Sequence, residues 1–137
     1  MFSTRRLPEQ RDVIAPDGSD VRLLLQVSGG SLAHFQLAPG KTSVAIHHRT
    51  VEEIWYITSG RGEMWRRLNE FESVIELEPG ICLDIPAGTE FQFRSGGSDP
   101  LAAIGVTIPP WPGQGEAIVS DGPWVSNVEP GPGLVAR

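Results

Sequence analysis

The sequence predicts an all-β domain, a sandwich or barrel of short strands. Three observations carry that prediction. Sixteen glycines and twelve prolines are spread through 137 residues, and they punctuate apolar runs rather than forming one low-complexity block. The runs between them are about strand length and rich in β-branched and aromatic residues. No window of a dozen residues shows a helical period, and short strands at this spacing are the signature of a sandwich or barrel.

The elements follow in order. Turn signals stand at "APDGSD" (15–20), "SGGS" (28–31), "APGK" (38–41), "SGRG" (59–62), "LNEFES" (68–73), "EPG" (78–80), "PAGTE" (86–90) and "SGGSDP" (95–100). Each pairs glycine, proline, asparagine or aspartate with polar neighbours, the residues that tight turns require. Between them lie the strand candidates "VRLLLQV", "LAHFQL", "SVAIHH", "EIWYIT", "EMWRRL", "SVIEL", "ICLDI", "FQFR" and "LAAIGVTI". No repeat or linker divides the chain, so one domain over 1–137 is expected, with its core at about 20–108. From 109 to 137 the sequence is an irregular tail dense in proline and glycine. Trp111 and Trp124 lie within it. Exposed tryptophans are costly, so part of the tail should pack on the barrel or on a partner subunit.

Composition narrows the function classes. Seventeen acidic residues against eleven basic ones give a formal net charge of −6, a poor balance for nucleic acid or an anionic membrane surface. No apolar run approaches the roughly 20 residues of a spanning helix. The opening "MFSTRRLPEQ" has no apolar block after its arginines, so no secretory signal is expected. The single cysteine, Cys82, cannot form an internal disulfide, which fits a reducing, cytoplasmic setting. It has no evident histidine partner, and no serine lies in a nucleophile-elbow pattern. "SGRG" opens no helix and so reads as a turn, not a phosphate loop.

The densest stretch is "AIHHRTVEEIWYITSGRG" (45–62). Gly40, His48, Glu53 and Gly60 are spaced like the first motif of the cupin family, and Gly80, Pro86 and Gly88 like its second. The chain resembles that family over roughly 20–108. The resemblance implies an antiparallel β-barrel of jelly-roll type, a homodimer, and in many members a divalent metal held by motif histidines and a glutamate. The ligand positions depart from the pattern. The first histidine position of motif one is Ile46, and the histidine and asparagine positions of motif two are Phe91 and Ser95. A shorter spacer would put His47 first but Arg49 second, and an arginine keeps its proton and cannot ligate.

Strand alternation adds to this. Ile46 and His48 share a face and His47 takes the other, so both histidines cannot serve one ion from a regular strand. His47 is expected to face solvent or an interface. His48 is either a core histidine held by Glu53 or a backbone carbonyl, or a functional one. If a metal were bound, its ligands would be His48 and Glu53 with His34 or Asp84. The expectation is no metal and no other cofactor, because catalytic sites normally offer three protein ligands.

Glu53 facing inward brings Trp55 and Ile57 with it, and Phe91 brings Phe93. The expected pocket is therefore Ile46, Trp55, Ile57, Asp84, Phe91 and Phe93 around His48 and Glu53. A desolvated glutamate is pushed up in pKa and a desolvated histidine down, which suits acid–base chemistry such as isomerisation, cyclisation or dehydration on a small ligand. Two alternatives stay open. One is a metal-dependent oxygenase or isomerase with a reduced ligand set; the other is a non-catalytic sensing or structural dimer.

Overall fold

A computed structural model describes all residues, 1–137. It contains eleven strands and no helix: β1 (Val13–Ile14), β2 (Asp20–Val27), β3 (Gly30–Leu37), β4 (Ile46–His48), β5 (Glu52–Ser59), β6 (Gly62–Leu68), β7 (Phe71–Leu77), β8 (Cys82–Ile85), β9 (Glu90–Ser95), β10 (Leu101–Ile108) and β11 (Ala117–Val119). They form two antiparallel sheets, in the orders β1-β2-β3-β10-β5-β8 and β11-β4-β9-β6-β7. This is the jelly-roll arrangement of two facing sheets.

The side-chain period of two decides what lies between the sheets. Along β5, Glu53, Trp55 and Ile57 are buried while Glu52, Ile54, Tyr56 and Thr58 are exposed. From the facing sheet come Ile46, Met64, Phe91 and Phe93. Trp55 stacks on Phe35 with ring centroids 5.1 Å apart and meets Phe93 edge-on at 5.0 Å. Each such side chain contributes roughly 1.5–3 kcal/mol on burial. Gly105 on β10 explains how Trp55 fits, since a Cβ there would lie 2.8 Å from the Phe35 ring and 3.0 Å from the Trp55 ring.

The glycines of the two motif frames have one physical cause. Gly40, Gly60, Gly80 and Gly88 have φ of 73°, 79°, 98° and 83°, and each sits at a turn leaving or entering a strand. That left-handed region is open to glycine at little steric cost. Their spacing is therefore the spacing of the barrel's turns.

Two strands lie outside the expected 20–108 core. β1 extends the first sheet, and β11, from the tail, pairs with β4 at the edge of the second. The tail is thus partly sheet, not only draped chain. Beyond β11 it crosses the outer face of the second sheet. There Gln92 donates to the carbonyl of Trp124 at 2.9 Å, and the Trp124 N–H donates back to Gln92 at 3.1 Å. The Arg94 guanidinium lies 4.0 Å above the centre of the Trp124 ring. Short strands of two and three residues carry no readable alternation, which is why the sequence did not reveal them.

Glu116, just before β11, locks the tail to the barrel. Its Oε1 accepts the N–H groups of Thr50 at 2.6 Å and Val51 at 2.7 Å in the bend between β4 and β5. Burial pushes this carboxyl up. The bonds from the Thr50 and Val51 backbone and the Thr50 hydroxyl, with His48 nearby, outweigh that and hold it below the ordinary range. Glu116→Ala leaves the buried Val51 N–H and the neighbouring Thr50 N–H without their acceptor, and a loss of about 2 kcal/mol is expected. Urea unfolding of Glu116→Ala beside Glu116→Gln, which retains an acceptor, checks this; equal stability of the two variants would contradict it.

Candidate functional site

β4 is held between β9 and β11, with Ile46 opposite Phe91 and His48 opposite Ala117. β5 carries Glu53 between Thr107 of β10 and Ile85 of β8. The two sheets thereby bring His48 and Glu53 together inside the barrel, each 4% exposed. His48 Nδ1 lies 3.2 Å from Glu53 Oε2. The pair is in contact but misaligned for a hydrogen bond, and Nδ1 has no other partner. Glu53 Oε1 accepts the Trp55 indole N–H at 3.2 Å. Phe91 and Trp111 meet the imidazole edge-on, with centroids at 5.4 and 5.0 Å.

Both ionisable groups are driven neutral. Desolvation lowers His48 to about 4, with Glu116 opposing and His47 adding to the shift. Desolvation raises Glu53 to about 8, against the Trp55 hydrogen bond and with help from nearby Asp17. At neutral pH the pair is therefore a carboxylic acid beside a neutral imidazole, not an ion pair.

Above them opens a cavity of about 460 Å³, walled by Ile46, His48, Glu53, Asp17, Trp111 and the leucines of β2 among others. Of the pocket residues expected from sequence, Ile46 borders this cavity. Trp55, Ile57, Phe91 and Phe93 do not: they fill the barrel beneath it as core. Asp84 is a plain correction. Leu83 and Ile85 are the inward residues of β8, so Asp84 points outward and lies beside Arg66.

His34 also lies elsewhere. Its neighbour Phe35 is the inward residue of β3, so His34 is on the outer face of the first sheet, beside Arg22 and the segment 7–9. His47 faces out of the barrel and is half-buried under the tail, its Nδ1 2.8 Å from the hydroxyl of Ser120. Ser95 bonds local carbonyls of Gly96 and Asp99.

The divalent site that the motif resemblance implies can be tested on these positions. Ile46 and Phe91, 1% and 0% exposed, pack where two ligands would stand. His34 and Asp84 point away. No three His, Cys, Asp or Glu side chains converge anywhere as a metal-ligand group. The side chains present do not fit a catalytic metal centre, which needs at least three protein ligands.

Sequence reasoning missed Asp17 and Trp111. Asp17 sits in a turn and Trp111 in the tail, 63 positions from His48 by number (111 − 48). The tryptophan flanked by prolines in "PPWPG" was the available signal.

Residues 33–107 match the family model of the cupin domain. The chain belongs to the cupin family. This cupin is 30% identical over 120 residues to an uncharacterized protein of Methanocaldococcus jannaschii, covering 81% of this chain and 93% of that one. Among solved structures it is similar to ectoine synthase from P. lautus, with a TM-score of 0.66, 20% identity and 80% of each chain covered. It is also similar to a conserved double-stranded beta-helix protein of Klebsiella pneumoniae, with a TM-score of 0.57, 18% identity, and 80% and 89% covered. With oxalate decarboxylase of Bacillus subtilis the TM-score is 0.64 at 16% identity, over 74% of this cupin and 28% of that longer chain. At such identities these structures speak to the fold alone.

The buried pair ties stability to pH. Glu53 binds its proton more tightly folded than unfolded, so its contribution is present below pH 4.5 and is lost as pH rises towards 8. His48 is depressed, so its contribution is present above pH 6.5 and is lost as pH falls towards 4. The two slopes oppose each other between 4.5 and 6.5, and above 6.5 only the Glu53 loss remains of this pair. Asp17, raised by burial, acts in the same direction as Glu53. With roughly 1.4 kcal/mol per pKa unit, Glu53 should remove about 2 kcal/mol between pH 6.5 and 8. Urea unfolding across that window is expected to show the fall in the native protein and a flatter profile in Glu53→Gln; equal slopes would contradict the assignment.

Proposed function

We propose that this cupin binds a small, largely apolar molecule in the barrel cavity and moves a proton on it with His48 and Glu53, without a metal. The observation that carries this reading is the placement of an acid and a base 3.2 Å apart, both buried, on the wall of a cavity of about 460 Å³. A mainly apolar cavity with a few converging polar groups is the usual form of a small-molecule site. A carboxylic acid beside a neutral imidazole offers both partners of acid–base catalysis at once. The imidazole removes a proton from the carbon next to a carbonyl while the carboxyl protonates the oxygen, giving an enol. Return of a proton to a different carbon gives an isomer, and loss of a neighbouring hydroxyl as water gives dehydration. Attack of a nucleophile within the ligand on the protonated carbonyl, with its proton passing to the imidazole, gives cyclisation.

One observation favours a second reading. The His48–Glu53 contact is misaligned, and a pure binding module would need no better. Deuterium exchange from water into carbons next to a carbonyl, followed by nuclear magnetic resonance over a panel of small ketones and aldehydes, separates the two. The expected result is exchange that survives dialysis against a chelator and falls by roughly 10²–10⁴-fold in His48→Ala. Loss on chelation with recovery on adding a transition metal would favour the metal-dependent alternative. Exchange unchanged in His48→Ala would exclude the pair.

We also propose a homodimer. Leu32, Ile54, Tyr56 and Ile108 are exposed on the outer face of the first sheet. Val106 of β10 lies between Leu32 and Ile54 by register, so the patch is continuous over three strands. A second copy covering it would remove that apolar surface from water. Light scattering at micromolar concentration is expected to give twice 14.9 kDa, and Ile54→Asp to shift it towards the single-chain mass. No helix is long and apolar enough to cross a membrane. With the free thiol of Cys82 exposed, a reducing cytoplasmic setting is the compartment proposed.

A further inference from the structure

Resting on the reading of the cavity as a small-molecule site, we propose that its ligand carries a cationic nitrogen, an ammonium group on an apolar skeleton, and not a carboxylate or phosphate. The ionisable side chains on the cavity wall are Asp17, His48 and Glu53, and no lysine or arginine borders it. The arginines near the barrel are committed elsewhere. Arg22 donates to the carbonyls of Pro8 and Glu9, and Arg66, Arg67 and Arg94 pair with Asp84, Glu90 and Glu63. A buried anion would therefore find no counter-charge on this wall, and an unpaired buried charge is costly.

For a cation the same wall is well equipped. The turn after β1 folds Asp17 inward, where Ser19 donates to its Oδ1 from both the backbone, at 2.9 Å, and the hydroxyl, at 2.6 Å. Oδ2 is left for a ligand. Asp17 and Glu53 both line this cavity. His48, also on this wall, is held neutral and so adds no positive charge that would repel a cation. Trp111 supplies an aromatic wall, against which an ammonium is attracted by the ring quadrupole. On binding, one carboxyl gives its proton to solvent and becomes the counter-ion, so the ammonium is held as half of an ion pair. Aliphatic residues of β2, Leu23 to Leu25, take the apolar skeleton.

The test uses the full chain and three six-carbon probes of equal length: hexylamine, hexan-1-ol and hexanoate. Binding is read at neutral pH from tryptophan fluorescence, to which Trp111 contributes from the cavity wall, and from calorimetry. Hexylamine is expected to bind about tenfold or more tighter than hexanoate, with hexanol between them. Asp17→Asn retains an acceptor for Ser19 and is expected to shrink the advantage of hexylamine over hexanoate to about threefold. Glu53→Gln gives the same readout should Asp17→Asn fold poorly. Hexanoate binding as tightly as hexylamine would overturn the cationic-ligand proposal and leave the cavity as a small-molecule site. Failure of all three probes to bind would overturn both readings. An amine advantage that persists in both variants would overturn the role given to the two acids.

Discussion

A carboxyl group is folded into an apolar barrel at Glu53, and much of this molecule is arranged around that constraint. The alternation of β5 leaves no choice: Trp55 and Ile57 must face inward to build the core, so Glu53 must as well. Leaving a carboxylate there would cost several kcal/mol, and the protein relieves the cost in two ways. It keeps the group protonated, and it supplies the Trp55 indole N–H as a partner for one oxygen. The neutral His48 beside it follows from the same desolvation. An ionised pair would need further donors and acceptors, and the neighbours of His48 here are the rings of Phe91 and Trp111.

The same constraint bears on metal binding. In a barrel that holds a divalent ion, carboxylate and imidazole are drawn into their charged and unprotonated forms by the ion itself. Here the side chains at the remaining motif positions are Ile46 and Phe91, pressed against each other across β4 and β9. They fill space with hydrocarbon and raise the proton affinity of Glu53. The result is a pocket whose polarity is set by protons.

The sequence made the barrel legible because turns and strands obey local rules. Gly40, Gly60, Gly80 and Gly88 stand where only a left-handed residue fits, and every apolar run between turns became a strand. Alternation alone puts Glu53, Trp55 and Ile57 on one face; that this face is the inner one comes from the motif resemblance. Asp84 shows the limit. Its strand is readable from sequence, but Leu83 and Ile85 take the inner face, and a one-residue difference in phase reverses every side chain. His34 poses the same question, because a strand pattern fixes which residues share a face and not which face is inside. The cavity itself was less legible. Its far wall is built by the turn bearing Asp17, by β2 and by the tail, which reach the site through long-range packing that no local period encodes. Trp111 approaches His48 only because β11 pairs with β4 and Glu116 fastens the tail to the β4–β5 bend.

The protonation state of Glu53 decides how the pocket works. The most direct measurement is the carbon-13 shift of the Glu53 carboxyl, followed from pH 4 to 9 in protein purified without chelator and assigned with Glu53→Gln. The result expected is a carboxylic acid at pH 6.5 that titrates near 8. A carboxylate already ionised at pH 6.5, as in an ion pair with a charged His48 or in coordination to a metal, would contradict it.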